Sequence, residues 1–223
     1  MLEIADRAAD SHFVESPESA ATRALQDIAR LFYDRNWALG TSGNYSVVLD
    51  RSPLKLLVTA SGKDKRGLTD RDFVTVDGEG RALQAAPGAK PSAETRLHTV
   101  LAQDSSVGSI LHTHSVWNTL LSDLLADQRV LRLSGYEMLK GLSGVTTHET
   151  TVEIAIFENT QDIPALAREV RRRIDARDPA LRHAFLIRAH GLYTWGVDLA
   201  EARRHVEILE FLFEVTGRRR SLQ

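Results

Sequence analysis

The sequence contains no cysteine, and this absence removes several kinds of chemistry. Disulfide cross-links, thiolate zinc sites and cysteine nucleophiles are all excluded. Any metal ion must therefore be bound by histidine, aspartate or glutamate side chains. A chain without cysteine also fits a reducing compartment, so we expect a cytoplasmic protein.

Long apolar runs and an excess of one charge are also missing. No stretch approaches the ~20 apolar residues of a membrane span, and Met1 to Ser16 lacks the apolar core of a signal peptide. The 28 Lys and Arg residues nearly balance the 30 Asp and Glu residues, which gives a net charge of −2. Such a chain has no basic field to attract nucleic acid or membranes. We expect its partners to be small molecules or further copies of itself.

Strand-like and helix-like patterns alternate along the 223 residues, which predicts a layered α/β fold in a single domain over residues 1–223. Ser16-Pro17 is typical of a helix start, and Asp198-x-x-Glu201 predicts the start of a last helix that ends before Gly217. Further helices are predicted from Pro91-Ser92 onward, at 116–125 and at 164–174, and strands at 45–49, 54–59, 73–76, 107–111, 130–133, 152–157 and 184–187.

Three histidines follow apolar strands and could share a metal ion. His112 and His114 project from the same face of a strand, with Cα atoms roughly 6.6 Å apart, which lets two imidazoles chelate one ion. The His-x-His pattern also occurs on ordinary strand faces, so the pair alone leaves a structural role open. His190 ends another apolar strand before Gly191, and alone it is more often structural. Together the three histidines predict one divalent metal site.

Two carboxylates are candidates for acid or base chemistry. Glu94 falls in the first turn of a helix capped by Ser92, where the helix dipole favours a carboxylate whether or not it has a function. Glu137 lies in an irregular stretch between two strands, where it is either a solvated loop carboxylate or a general acid/base. Two further histidines, His98 and His205, lie on amphipathic helices, and we expect them to cap or pack.

Two loops rich in small residues have the composition of a phosphate site. Residues 40–44 and 59–63 offer backbone N–H groups, hydroxyls and one ammonium group. Neither loop matches a nucleotide-binding fingerprint, and each could be an ordinary turn. The arginine runs at 171–173 and 218–220 are interpreted as solvated charge.

Five motifs in order resemble those of the class II, metal-dependent sugar-phosphate aldolase family. They are Gly40-Thr41-Ser42-Gly43-Asn44, Thr59-Ala60-Ser61-Gly62, Pro91-Ser92-Ala93-Glu94, His112-Thr113-His114 and Ala189-His190-Gly191, and the similarity spans about residues 20–215. Within the family, the stretch Gly135-Tyr136-Glu137-Met138-Leu139-Lys140-Gly141 and the residues around Lys90-Pro91-Ser92 look most like its dehydratases.

The resemblance implies both a fold and a metal. The fold is a three-layer α/β/α domain with a central, mostly antiparallel sheet. The resemblance also implies a homotetramer whose active sites lie at subunit contacts. The implied substrate is a small phosphorylated ketose. One zinc ion per subunit would be bound by His112, His114 and His190.

The resemblance also assigns roles to the remaining residues. Glu94 takes the position of the metal-adjacent glutamate of the aldolases, which is replaced in some dehydratases and is therefore not the indispensable base. Glu137 matches the dehydratase acid/base, a role for which we expect partial burial and a pKa raised towards neutrality. The residues expected near the substrate or its phosphate are Glu94, Ser42, Gly43, Ser61 and Lys140.

Two alternatives remain open. An aldolase or epimerase of the family would use the same metal, but it would also use a tyrosine near the C-terminus, and no tyrosine follows Tyr193 here. A non-catalytic scaffold, as in the adducin head, resembles the family without its metal histidines. The presence of all three histidines argues against the scaffold.

Overall fold

The computed structural model describes residues 16–222, so the segment before Ser16, which carries our prediction on signal peptides, lies outside them. The helices of this range are α1 (Pro17–Asp34), α2 (Thr95–Ala102), α3 (Val116–Leu124), α4 (Ile163–Asp175) and α5 (Leu199–Ser221). The strands are β1 (Asn44–Arg51), β2 (Leu54–Thr59), β3 (Phe73–Asp77), β4 (Ala82–Ala85), β5 (Ser109–Thr113), β6 (Val130–Leu133), β7 (Val152–Phe157), β8 (Ala184–Ile187) and β9 (Gly191–Gly196). Among the residues described, no helix is long and apolar enough to cross a bilayer.

All of these strands form one sheet in the order β4-β3-β2-β1-β5-β9-β8-β7-β6. Every neighbouring pair is antiparallel except β7 and β8, which run parallel. This confirms the predicted central, mostly antiparallel sheet. Strands β5 and β9 occupy its middle, where both faces are covered.

Helices cover both faces of the sheet, and alternate residues of β5 show why. Ile110 packs into the core formed with α2 and α4, whereas Leu111 packs into the core formed with α1 and α5. A third core joins α3 and α5 to strands β6 to β9. Strands buried on both faces are apolar almost throughout, which is how β8 looks in the sequence.

The predicted helix starts are confirmed at both ends of the described chain. The Ser16 hydroxyl accepts a hydrogen bond from the Ser19 backbone N–H at 3.1 Å, and Asp198 accepts one from the Glu201 N–H at 2.8 Å. The predicted end of the last helix is wrong, because α5 continues through Gly217. A Cβ at Gly217 would lie 2.4 Å from the Trp117 ring. This glycine lets α3 approach α5 closely instead of ending the helix.

Two strands are missing from the sequence prediction. The exposed edge strand β4 has no apolar alternation. Strand β9 begins at Gly191, directly after His190, so the start of the strand looks like a turn in the sequence. The bounds of β5 also differ from the prediction, since the strand extends through His112 to Thr113. Its backbone there pairs with β1 on one side and β9 on the other.

Candidate metal centre

The topology brings the three histidines together at the adjacent ends of two central strands, β5 and β9. His112 lies within β5, and His114 follows the strand, with its backbone N–H donating to the Trp37 carbonyl at 2.8 Å. His190 lies in the turn between β8 and β9. Because β5 and β9 are antiparallel neighbours, the end of one strand meets the start of the other.

The imidazoles converge on one point. One ring nitrogen from each histidine lies within 4.8 Å of the other two, and the Nε2 atoms of His112 and His114 are 2.8 Å apart. His112 Nδ1 lies 2.9 Å from the Leu192 carbonyl oxygen, which fixes Nδ1 as the donor and leaves the Nε2 lone pair facing the cluster. The Tyr193 ring stacks on His112 with centroids 4.0 Å apart. The orientation of the His112 ring is therefore fixed by this stacking and by the hydrogen bond at Nδ1.

Burial favours the neutral form of two of the three histidines. His112 is fully buried, and this burial, together with the neighbouring His114, lowers the His112 pKa well below its ordinary value. Burial also lowers the pKa of His114 to about 4. Neutral imidazole is the form that binds metal, so these two ligands need lose no proton at neutral pH.

Glu94 lies beside this cluster, at the metal-adjacent place that the family resemblance implied. It lies in the turn before α2, where its N–H donates to the Ser92 hydroxyl at 3.2 Å, and its side chain does not cap the helix. The carboxylate instead lies 3.2 Å from His190 Nε2 and 3.6 Å from His112 Nε2. The helix-dipole explanation from the sequence is therefore wrong for this side chain.

The surroundings of Glu94 keep it ionised. Burial alone would raise its pKa, but the contacts with His190 and His112 and a hydrogen bond from Asn44 Nδ2 at 2.8 Å hold the pKa well below its usual range. Three imidazoles beside one carboxylate suit a divalent transition metal. The cluster can therefore bind a metal ion.

The two small-residue loops lie at the strand ends next to the histidines. Strand β1 begins at Asn44 and antiparallel β2 ends at Thr59, so the flanking loops lie beside the histidines. Gly43 has φ +75°, and a Cβ there would lie 2.7 Å from the His112 carbonyl oxygen. Only glycine allows the loop to pass so close to β5. Ser42 is half-buried next to it, whereas Ser61 is exposed in the second loop.

Lys65 joins these loops and has no counterpart among the predicted site residues. It is 1% exposed, and its ammonium donates to the Lys63 carbonyl at 2.8 Å and the Thr41 carbonyl at 3.3 Å. Burial lowers the Lys65 pKa to about 8. A lysine within a polar turn gives no sequence signal of burial. Asn44, which holds Glu94, was also absent from the predicted site, although its place at a strand start beside the glycine loop could have indicated it.

Glu137 and Lys140 lie elsewhere in the chain. They pair with each other on the 3-10 helix Glu137–Gly141, which follows the edge strand β6, and β6 is four positions, roughly 19 Å, from β5 in the sheet. The Glu137 side chain is 69% exposed and also lies 3.4 Å from His148 Nδ1. Within residues 16–222, no hydrogen bond or ion pair links it to Glu94 or the three histidines.

The expected partial burial and raised pKa of Glu137 are wrong for the chain taken alone. The hydrogen bond from Lys140 lowers the Glu137 pKa, and His148 acts in the same direction. Such a carboxylate is a weak base. Its proposed role therefore needs surroundings that differ from those within one chain.

The histidines that were left out as ligands do pack, as predicted. His98 is buried behind Asn44, where its Nδ1 lies 2.7 Å from the Ser46 hydroxyl. His205 Nδ1 lies 2.7 Å from the Trp195 carbonyl oxygen, and its Nε2 accepts from the Ser143 N–H at 3.1 Å. Both rings have protein partners on both nitrogens.

Known proteins resemble this chain over most of its length. Three of these relatives are named methylthioribulose-1-phosphate dehydratase. The protein from Marinobacter nauticus is 45% identical, and the match covers 88% of this chain and 92% of the relative. The protein from Pseudomonas aeruginosa is 46% identical, covering 86% of this chain and 91% of the relative, and that from Pectobacterium atrosepticum is 47% identical, covering 92% and 98%.

Solved structures share the fold at lower identity. An L-fuculose 1-phosphate aldolase superposes with a TM-score of 0.74 at 22% identity, covering 92% of this chain and 88% of that one. YgbL from Escherichia coli, described as a putative aldolase/epimerase/decarboxylase, gives 0.74 at 24% identity, covering 90% and 89%. Residues 23–216 match the family described as class II aldolase and adducin N-terminal domain. The chain belongs to the class II aldolase and adducin N-terminal domain family.

Proposed function

We propose that this chain is a methylthioribulose-1-phosphate dehydratase, a lyase of methionine salvage. It would remove water from 5-methylthioribulose 1-phosphate to give 2,3-diketo-5-methylthiopentyl 1-phosphate. The observation that carries the proposal is a three-histidine cluster beside two loops suited to phosphate, in a chain 45–47% identical to proteins of that name. A cytoplasmic location and a single domain remain predictions.

Zinc is the proposed metal, bound by His112, His114 and His190. Three neutral ligands leave a coordination position open for substrate oxygens. When bound, the ion would supply Lewis-acid stabilisation of the negative charge that develops as the C3 proton leaves. Glu94 would orient His190 and contact the substrate, since its ionised carboxylate already faces the cluster.

The phosphate would be held by the two loops. The backbone N–H of Gly43 and the hydroxyls of Ser42 and Ser61 supply hydrogen-bond donors, which a phosphate monoester requires. Lys65 would hold both loops in place through the carbonyls of Thr41 and Lys63. The ketose would then lie between these loops and the metal histidines.

Glu137 is proposed to move the proton. Its carboxylate would take the proton from C3 and deliver it to the C4 hydroxyl, which leaves as water, so that one group serves both steps. Within one chain it is exposed and paired with Lys140. We therefore propose that Glu137 and Lys140 serve the histidine cluster of a neighbouring copy in a homotetramer, where burial at the contact would raise the Glu137 pKa.

Incubation of the purified, zinc-loaded protein with 5-methylthioribulose 1-phosphate tests the reaction. We expect formation of the diketone phosphate, with none from metal-stripped protein and recovery when zinc is restored. Dihydroxyacetone phosphate in place of the diketone would replace the dehydratase with an aldolase. Absence of zinc from protein prepared with the metal would reject a zinc enzyme and favour a scaffold.

A further inference from the structure

A buried polar network lies on the far side of β5 from the metal histidines. Thr113 stands between His112 and His114, so its side chain points to the opposite face of the strand. There the Glu210 Oε1 atom of α5 accepts hydrogen bonds from Thr113 Oγ1 at 3.1 Å and Asn118 Nδ2 at 2.9 Å. Thr113 and Asn118 are fully buried, and Glu210 is 3% exposed.

The first turns of α3 extend this network to the third histidine. Asn118 Nδ2 also donates to the Thr113 carbonyl at 3.3 Å, and Thr119 Oγ1 donates to the His190 carbonyl at 3.1 Å. One turn later, the Ser122 hydroxyl accepts from the Ala189 N–H at 3.1 Å. Helix α3 therefore contacts the backbone of both segments that carry the histidines.

Glu210 is an unusual residue for this position. Its Oε2 atom is buried without a hydrogen-bond partner of normal geometry among the residues described. The Ser115 side chain also interacts with this carboxyl group, and Glu214 adds a like charge. Burial raises the Glu210 pKa to about 7, so the group is largely a neutral acid below that pH. A buried polar group in an otherwise apolar layer costs stability, which an apolar side chain would avoid. Its directional hydrogen bonds to Thr113 and Asn118 offer a reason for its presence.

We propose that Glu210 is a positioning residue that acts through Thr113 and Asn118 to hold His112 and His114 at chelating distance. The inference rests on the metal-binding role proposed for the histidines. It does not depend on the substrate. A purely structural Glu210 would stabilise the fold and leave the metal geometry unchanged.

Metal binding measured without substrate tests the proposal. The affinity for zinc is measured by competition with a chelator, and the ligand geometry by the visible absorption of the cobalt-substituted protein. We expect Glu210→Ala to weaken zinc binding by roughly tenfold or more and to alter the cobalt spectrum. Glu210→Gln should remain within about threefold of wild type, because its amide oxygen can accept the same two hydrogen bonds.

Two further variants keep the test decisive. Glu214→Ala removes a half-buried carboxylate one turn along α5 that pairs with Arg218, and it should leave zinc binding unchanged. Thr113→Val removes the hydroxyl that donates to Glu210 and accepts from Asn118 Nδ2, and it should weaken zinc binding as Glu210→Ala does. If Glu210→Ala fails to fold by circular dichroism, Thr113→Val decides.

Folded Glu210→Ala or Thr113→Val protein with wild-type affinity and spectrum would overturn the proposal, as would equal losses in Glu214→Ala. Failure of the dehydratase assay with these metal effects intact would reject the proposed substrate and leave this inference standing.

Discussion

The three histidines differ in how completely the fold encloses them. His112 is fully buried between β1, β9 and the Tyr193 ring, whereas His114 and His190 are half-buried at the open side of the cluster. The half-buried pair faces the side from which a substrate would enter. We therefore expect replacement of His112 to reduce metal affinity more than replacement of His114 or His190.

His112→Ala should abolish stoichiometric metal binding, since two of the three imidazoles cannot complete the site. Elemental analysis of the purified variant measures this directly. His148→Ala is the matched control, because His148 is an exposed histidine outside the cluster. Retention of a full zinc equivalent by His112→Ala would show that His112 is not a metal ligand.

Glu137→Gln should keep its metal and its fold but lose turnover by on the order of a hundredfold or more, because the amide cannot accept the C3 proton. Steady-state rates and zinc content, measured on the same preparation, separate the two effects. Glu153→Gln removes a half-buried carboxylate paired with Arg132 on the edge strand β6 and should remain active. Near-normal turnover in Glu137→Gln would remove this residue from the mechanism.

Single residues were predictable from the sequence where local spacing decides their place. The strand period puts His112 and His114 on one face, so their pairing could be predicted. Local spacing does not predict the position of Glu94, because its partners Asn44 and His190 are 50 and 96 residues away in the chain, and only the family resemblance indicated it. Its carboxylate is directed by these partners and not by the helix that follows it.

At the scale of elements, helix α5 carries both the least predictable boundary and a buried carboxylate. Its end was missed because Gly217, usually a stop signal, packs against Trp117 of α3. Strand β9 was missed because a residue pattern of five or six positions beside a turn carries little information by itself. Both features depend on tertiary contacts that local patterns do not contain.

Glu210 on α5 should make stability depend on pH. Its pKa in the folded protein is raised to about 7 from an ordinary value of 4.5, so its stabilising neutral form is complete below about pH 4.5 and lost as pH rises through 7. Relative to Glu210→Gln, the free energy of unfolding of the wild type should therefore fall between pH 5 and 8, by up to about 3 kcal/mol.

Urea unfolding of both metal-free proteins at several pH values measures this difference, and titrations common to both proteins cancel. Asp175→Asn, an exposed change on α4 that removes no charge acting on Glu210, should give a curve parallel to wild type over this range. Parallel curves for Glu210→Gln and wild type would contradict the expectation.

At the scale of the whole molecule, the layered fold and the mostly antiparallel sheet followed from element types and from the family resemblance. The strand order did not follow from local patterns, because β5 and β9 are neighbours although three strands lie between them in the chain. The separation of Glu137 from the histidines is a second property of the whole chain that no local pattern reveals. It leads to a test of the assembly.

Mixing the two inactive variants His112→Ala and Glu137→Gln, under conditions that allow subunits to exchange, should restore activity. If each site combines histidines of one copy with Glu137 of another, random pairing in equal mixtures regenerates about a quarter of the sites. The measurement is turnover of the mixture against each variant alone, with light scattering to verify a tetramer. A monomer, or a mixture as inactive as its parts, would contradict a shared site.

The pairing of β5 with β9 also orders events during folding. His190 follows His112 by 78 residues, yet their strands are adjacent in the centre of the sheet. Such distant pairing forms slowly, because a long loop must close before its contacts can stabilise it. The three ligands are together only after β9, the last described strand, has docked between β5 and β8. An ion bound by these histidines would therefore be acquired late in maturation, and it would mark chains whose central sheet is complete.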